Sequence, residues 1–145
     1  MTYNFIDLFA GAGGLSEGFI QAGFKPVAHV EIENSACNTL RTRSAYHYLK
    51  TNNKYKTYIT YLKGEITREE LYLSVPKDIL ESVINLPIGD DSNKTIQHKI
   101  DKYLGSKKVD LIIGGPPWKV KIKNKNGRRP KKLSIYSICG IFRKI

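Results

Sequence analysis

Apolar residues near the start of the chain follow two different spacings. Residues 5–9 form a continuous apolar run that only Asp7 interrupts, which predicts a buried strand, and helical spacing begins at Leu15. Three glycines separate the two patterns: Gly11, Gly13 and Gly14. We therefore predict a strand, a glycine turn and a helix start. Such a turn lets a ligand approach bare backbone and free helix N–H groups, although an ordinary tight turn would carry the same residues.

The pattern continues into a second strand. Helical spacing extends from Leu15 to Ala22, and Gly23 is a suitable helix stop. A short apolar run, residues 27–30, then ends at Glu31, which completes a predicted βαβ unit. In nucleotide-binding folds, a carboxylate that closes the second strand accepts hydrogen bonds from ribose hydroxyls. Glu31 is a candidate for that role, and a solvated acidic side chain is the alternative.

The middle of the chain is less regular. Asn34 is placed to cap a helix that reaches Leu49. Residues 50–108 show helical spacing in several places, so we expect a mainly helical insertion. Its tyrosines could stack on bases, but aromatic residues at this spacing more often belong to a core. The helical positions include Ile79, Val83 and Ile84.

A last buried-strand pattern occupies residues 109–113 and runs into two glycines and two prolines, residues 114–117. Because open α/β sheets bind ligands at the carboxyl ends of their strands, this loop is a second candidate functional segment. The patterns together predict an α/β, Rossmann-like fold, with an incomplete parallel sheet flanked by helices. We divide the chain into a part that carries these patterns, residues 1–117, and a tail, residues 118–145.

Charge separates these two parts. The formal net charge is +11, and ten of the 24 lysines and arginines lie in residues 119–145, from Lys119 to Ile145, where no acidic residue occurs. The tail could bind nucleic acid non-specifically, or it could be solvated and disordered. We find no membrane-spanning run and no signal-peptide pattern, and we expect a cytoplasmic protein. Cys37 and Cys139 lack metal-ligand spacing, and we expect free structural thiols and no metal.

Three motifs resemble the cytosine-5 DNA methyltransferases, which transfer a methyl group from S-adenosyl-L-methionine. The stretch Asp7-Leu-Phe-Ala-Gly-Ala-Gly-Gly14 is similar to the family's first motif, Val30-Glu31 to its second, and Ile113-Gly-Gly-Pro-Pro117 to the start of its fourth. The resemblance covers residues 3–33 and 109–117. It implies a Rossmann-like methyltransferase fold, DNA as substrate and, by family, membership of a restriction-modification system.

The resemblance also implies roles for individual residues. Backbone from Phe9 to Leu15 would cradle the methionine part of the cofactor, Phe9 and Ile32 would sandwich its adenine, and Glu31 would hold its ribose. Gly64-Glu-Ile-Thr67 faintly resembles the third motif, whose acidic residue, here Glu65, would contact the adenine amino group. The cofactor-binding residues expected on this basis are Asp7, Phe9, Ala10, Gly11, Gly13, Gly14, Leu15, Glu31, Ile32, Glu65 and Pro116.

One position departs from the family. Directly after the two prolines the family carries a cysteine whose thiolate adds to C6 of a flipped-out cytosine. Here Trp118 occupies that catalytic position, and indole offers no such nucleophile. The family's later motifs do not follow. We expect a truncated, inactive form with weak cofactor binding, and we interpret the acid-free tail as a possible out-of-frame translation.

Two alternatives remain open from the sequence. Pro116-Pro-Trp118 resembles the Pro-Pro-aromatic loop of amino-methyltransferases, but Gly115 has no side chain to accept a hydrogen bond from the target amino group. The chain could instead be a non-catalytic nucleic-acid binder that grips phosphates through its basic tail.

Overall fold

A computed structural model describes residues 2–115 of the chain. Its four strands are β1 (Asn4–Leu8), β2 (Lys25–Glu31), β3 (Val83–Asn85) and β4 (Leu111–Gly114). They form one sheet in the order β3-β2-β1-β4, and every pairing is parallel. The predicted α/β fold with a Rossmann-like parallel sheet is confirmed. Pro116, Pro117, Trp118, Cys139 and the basic tail, residues 119–145, lie outside the described residues.

Six helices join the described strands. They are α1 (Gly14–Gln21), α2 (Asn34–Thr51), α3 (Tyr55–Leu62), α4 (Arg68–Leu73), α5 (Lys77–Glu81) and α6 (Asn93–Leu104). The chain adds β2 and β3 on one side of β1, and α6 then carries it across the sheet to β4 on the other side. The carboxyl ends of β1, β2 and β4 therefore meet where the direction of winding reverses, the position at which open α/β sheets bind ligands.

Side chains of β1 and β2 alternate between two layers, as strand geometry requires. Ile6, Leu8 and Val30 point to the face covered by α6 and pack with its Ile96 and Ile100. The intervening residues face α1 and α2 on the other side of the sheet. These are Phe5, Asp7, His29 and Glu31, and all four are buried. The polar members of this second set therefore lie beneath helices and need partners there.

The end of α1 follows its sequence signal closely. Gly23 has a φ of 92°, its N–H bonds the carbonyl of Ile20, and the N–H of Phe24 bonds the carbonyl of Phe19. This pair of bonds is a Schellman motif, and the rings of Phe19 and Phe24 add the apolar contact that accompanies it, 5.3 Å between centroids. The prediction of Gly23 as a helix stop is confirmed.

Two local predictions are wrong. Val83 and Ile84 form strand β3 rather than helix, because both are buried beside β2, which pairs with them. Their helical spacing relative to Ile79 arises because α5 ends just before the strand. Asn34 is the first residue of α2, and Glu33 occupies the cap position. Helix bounds inferred from sequence commonly shift by one residue.

Helices α2 to α5 share a separate apolar cluster built on Ala45, Leu49, Leu71 and Val75. Tyrosines pack around its edge, among them Tyr48, Tyr58, Tyr61 and Tyr72. Their position supports the expectation that these aromatic residues are core residues. Within residues 2–115, no helix is long and apolar enough to cross a membrane, and no cluster of metal-ligating side chains occurs.

Candidate cofactor site

The glycine loop, residues 9–14, connects β1 to α1 through left-handed backbone. Phe9, Gly11 and Gly13 have φ values of 58°, 54° and 83°. The N–H of Gly13 bonds the carbonyl of Ala10 at 2.9 Å, and the carbonyl of Gly13 accepts the N–H of Glu17 at 3.0 Å, which starts α1. The loop therefore closes on itself before the helix begins. Glycine is the residue that adopts such angles without strain, so the predicted turn has its physical explanation.

The glycines differ in what surrounds them. A Cβ at Gly13 would lie 2.7 Å from Cδ2 of Leu40 on α2, so helix and loop pack directly against each other there. A Cβ at Gly11 or at Gly14 would meet no atom within 4 Å. The backbone at Gly11 and Gly14 is therefore open on one side. This is the surface on which a ligand can lie against the loop.

Glu31 joins the glycine loop to the end of β2. Its Oε2 accepts the N–H of Gly11 at 2.7 Å, and its Oε1 accepts the N–H groups of Ile32 at 2.8 Å and Glu33 at 2.9 Å. A carboxylate has about four acceptor positions, so three backbone bonds leave capacity for a ribose hydroxyl. The side chain is therefore a fixed acceptor at the sheet edge, and not the solvated acid of the alternative interpretation.

Asp7 lies beneath the loop and is 1% exposed. Its Oδ2 accepts the hydroxyl of Ser16 in α1 at 2.5 Å, and its Oδ1 has no hydrogen-bond partner among the described residues. Burial raises the pKa of Asp7 above its ordinary value; the Ser16 hydrogen bond opposes that change and the charge of Glu31 adds to it. Asp7 thus anchors the first turn of α1 to β1.

Apolar residues expected to contact the cofactor lie at the same edge. Ile32 is 58% exposed directly after β2, and Leu15 is 50% exposed in the first turn of α1. Phe9 is partly buried against the sheet core, directly after β1. Ala10 is buried with Cys37 and Leu40 under α2. Phe9 and Ile32 therefore follow neighbouring strands, as an adenine site between them would require.

The carboxyl end of β4 comes very close to β1. Gly114 pairs with Leu8, and a Cβ on Gly114 would lie 2.2 Å from the carbonyl oxygen of Leu8. Only glycine fits this position. The loop that follows thereby starts beside the glycine loop, and Gly115 is its last described residue.

Glu65 and Asn85 lie at different places relative to the third strand. Glu65 lies between α3 and α4, is exposed, and its nearest cation is Lys63 at 3.9 Å. Asn85, which the sequence analysis did not single out, instead ends β3, and its Nδ2 donates to the carbonyls of Glu31 at 3.0 Å and Ile32 at 2.8 Å. Recognising Val83 and Ile84 as a strand would have identified this residue, because the carboxyl ends of parallel strands share one edge.

These features define a class of protein. A parallel sheet in the order β3-β2-β1-β4, a glycine loop after the first strand and a fixed carboxylate after the second are the parts of a Rossmann-like methyltransferase fold.

Comparison with known proteins identifies the family. Residues 3–73 match the family described as C-5 cytosine-specific DNA methylase. The chain belongs to this family, whose members use S-adenosyl-L-methionine as methyl donor. The resemblance seen in the sequence motifs is confirmed.

Individual relatives agree with this assignment. The type II methyltransferase M.Bpa9945I of Bacillus paralicheniformis is 41% identical over 133 residues, covering 77% of this chain and 30% of its own length. The putative type II methyltransferase M.MjaORF1200P of Methanocaldococcus jannaschii is 30% identical and covers 88% of this chain and 37% of its own. The chain thus spans roughly a third of these relatives. No solved structure matches it significantly.

Proposed function

We propose that this chain forms the cofactor-binding part of a DNA (cytosine-5-)-methyltransferase of a restriction-modification system. One observation carries the proposal: Glu31 is held by the N–H of Gly11 at 2.7 Å, at the edge where β1 and β2 end together. A fixed carboxylate beside an open glycine backbone matches a ligand that has a ribose and a charged chain. The type II methyltransferases among the relatives support the biological setting.

Each part of the cofactor has candidate partners in the described structure. The remaining acceptor capacity of Glu31 suits the ribose hydroxyls, and the open backbone at Gly11 and Gly14 suits the methionine part. Phe9 and Ile32, which follow the neighbouring strands β1 and β2, are the candidates for contact with the adenine. The bound cofactor would supply an electrophilic methyl group. The unpartnered Oδ1 of Asp7 and the unfilled backbone at Gly11 and Gly14 are consistent with this occupant.

Asn85 is a candidate for the adenine amino group in place of Glu65. Both partners of its Nδ2 are carbonyl oxygens, so the NH₂ group must point toward them and Oδ1 must point away. An amide oxygen at the end of β3 can accept a hydrogen bond from an exocyclic amine. Asn85 therefore holds the turn after Glu31 through one atom and presents an acceptor through the other.

Cofactor binding tests the proposal directly. Glu31→Gln keeps the size of the side chain but turns an N–H donor toward backbone N–H groups, so we expect S-adenosyl-L-methionine binding, measured by calorimetry on the full 145-residue chain, to fall below detection. Glu33→Gln makes the same charge change two residues away and should leave binding as in the original chain. Equal affinity for the original chain and Glu31→Gln would contradict the assigned site.

Methyl transfer is expected to be absent. The thiolate that would add to cytosine C6 is replaced by Trp118, whose indole nitrogen is a hydrogen-bond donor and no nucleophile. We expect no labelled methyl group in DNA after incubation with the purified chain, with a full-length type II methyltransferase as positive control. Label recovered as 5-methylcytosine would refute the proposed inactivity, and label recovered as N6-methyladenine would instead favour the amino-methyltransferase alternative.

A further inference from the structure

A cavity lies on the face of the sheet that α1 and α2 cover, between these two helices. Its volume is about 300 Å³. Its lining extends to Lys25 and Pro26 at the start of β2 and to Asn52 after α2. These residues lie at the amino end of β2, whereas the glycine loop and Glu31 lie at the carboxyl edge. The cavity is therefore separate from the candidate cofactor site.

His29 supplies the buried polar group of this cavity. The residue is 3% exposed, lies in the middle of β2 and lines the cavity. Its Nδ1 has no hydrogen-bond partner among the described residues, although its ring packs edge-on against Phe5 with 6.3 Å between centroids. A buried nitrogen without a partner is unfavourable by about 1–3 kcal/mol, so a ligand that bonds it gains affinity.

The neighbouring strand adds a second polar position at the same level. Asp7 is the register partner of His29 across β1 and β2, and its Oδ1 also lacks a partner in the described part of the chain. Ser16, which donates its hydroxyl to Asp7, lines the cavity as well. Asp7 is not itself part of the lining, so among the described residues His29 supplies the unpartnered buried atom of this cavity.

The rest of the lining selects against a charged ligand. Ile20, Pro26, Leu40 and Ile79 form apolar walls. Of the basic residues of the lining, Arg43 and His47 are engaged by Glu17, at 3.2 Å and 2.9 Å, and Lys25 is exposed to solvent at the start of β2. Burial lowers the pKa of His29 to about 4, so its imidazole is neutral at neutral pH. An ion beside His29 would therefore lose its hydration without gaining a counter-charge from that ring.

We propose that the cavity between α1 and α2 binds a small uncharged molecule with an apolar body and one hydrogen-bonding group, and that His29 is its hydrogen-bonding partner. The volume lies at the lower end of ligand pockets, which are about 300–1,000 Å³. A single substituted aromatic ring is therefore the size of ligand that fits. This site goes beyond the proposed methyltransferase function, and its lining contains none of the residues assigned to the cofactor.

Phenol and toluene form a matched pair of probes, because they share a ring and differ in one hydroxyl. We expect phenol to perturb the NMR signals of the His29 ring in the full chain and to bind about fivefold more tightly than toluene, the difference of one hydrogen bond. In His29→Phe, which keeps an aromatic ring against Phe5, the preference for phenol should disappear. Equal binding of both probes to the original chain would overturn the role of His29.

Substitutions that fill the cavity test whether the probes bind there. Ser44→Phe on α2 places a ring in the cavity and should abolish binding of both probes. Ser35→Phe makes the same change in the same helix outside the cavity lining, and should not. Should Ser44→Phe lose its helical circular dichroism, Ile20→Phe fills the cavity from α1. Undiminished phenol binding to a folded cavity-filling variant, or no phenol binding to the original chain, would refute the site.

Discussion

Glu31 and Asp7 lie on the same face of the sheet but differ in how well their carboxyl oxygens are hydrogen-bonded. Glu31 accepts three backbone N–H groups, which satisfy both of its oxygens and fix the position of the side chain. Asp7 accepts one hydroxyl and is otherwise buried, with one oxygen unpartnered among the described residues. The bonds of Glu31 hold the glycine loop against the end of β2. Burial disfavours the ionised form of Asp7 and raises the pKa of its carboxyl group.

The sign of the Asp7 contribution follows from its raised pKa. Above the ordinary value of 3.8, the unfolded chain releases this proton before the folded chain does, so stability falls as the pH rises through the folded pKa. At neutral pH, Asp7→Asn removes the buried charge and keeps an acceptor for Ser16. We expect it to increase the free energy of unfolding by about 1 kcal/mol, measured by urea denaturation.

Asp91→Asn is the matched control for this change, because Asp91 is exposed and the substitution removes the same charge. It should alter stability by less than about 0.5 kcal/mol. The interpretation is wrong if Asp7→Asn is less stable than the original chain at neutral pH. A gain that persists at acid pH, where Asp7 is protonated, would likewise contradict the stated cause.

At the level of the element, the conformation of the glycine loop requires glycine at position 13 but not at position 14. Gly13 has a φ of 83° and faces Leu40, whereas Gly14 starts α1 with open space around it. We expect Gly13→Ala to destabilise the chain by about 2 kcal/mol, from backbone strain and the displaced Leu40 side chain. Gly14→Ala should be neutral or slightly stabilising, because alanine favours a helix.

Thermal unfolding of the two variants separates these effects, since both add the same methyl group one residue apart. The expected order of melting temperatures places Gly13→Ala clearly below Gly14→Ala. The reverse order would show that the left-handed turn and the contact with Leu40 do not hold the loop. Affinity for S-adenosyl-L-methionine is a second readout only for Gly14→Ala, whose methyl group lies on the open side.

Elements with strong local signals could be predicted from sequence. The run of residues 5–9, the stop at Gly23 and the strand before Glu31 each carry their own pattern, and the structure has β1, α1 and β2 there. Strand β3 has three residues, and two apolar side chains fit a helix as well as a strand. Pairing with β2 decides between them, and that partner lies more than fifty residues away.

At the scale of the whole molecule, the candidate site is likewise only partly readable from sequence. Motif spacing identified Glu31 and the glycines, because each belongs to a local pattern. It could not identify Asn85, whose importance comes from the neighbouring ends of β2 and β3. It also could not locate the cavity at His29, which exists because α1 and α2 lie over the same strand. Long-range packing created both features.

The bond between Glu31 and Gly11 gives the site its shape before any ligand arrives. The carboxylate ties a left-handed turn to a strand end, so the surface offered to a ribose is rigid in the free chain. Binding to such a surface loses little loop entropy, and affinity then depends on the contacts themselves. The glycine loop is therefore preorganised, and a ligand binds to it without rearranging the loop.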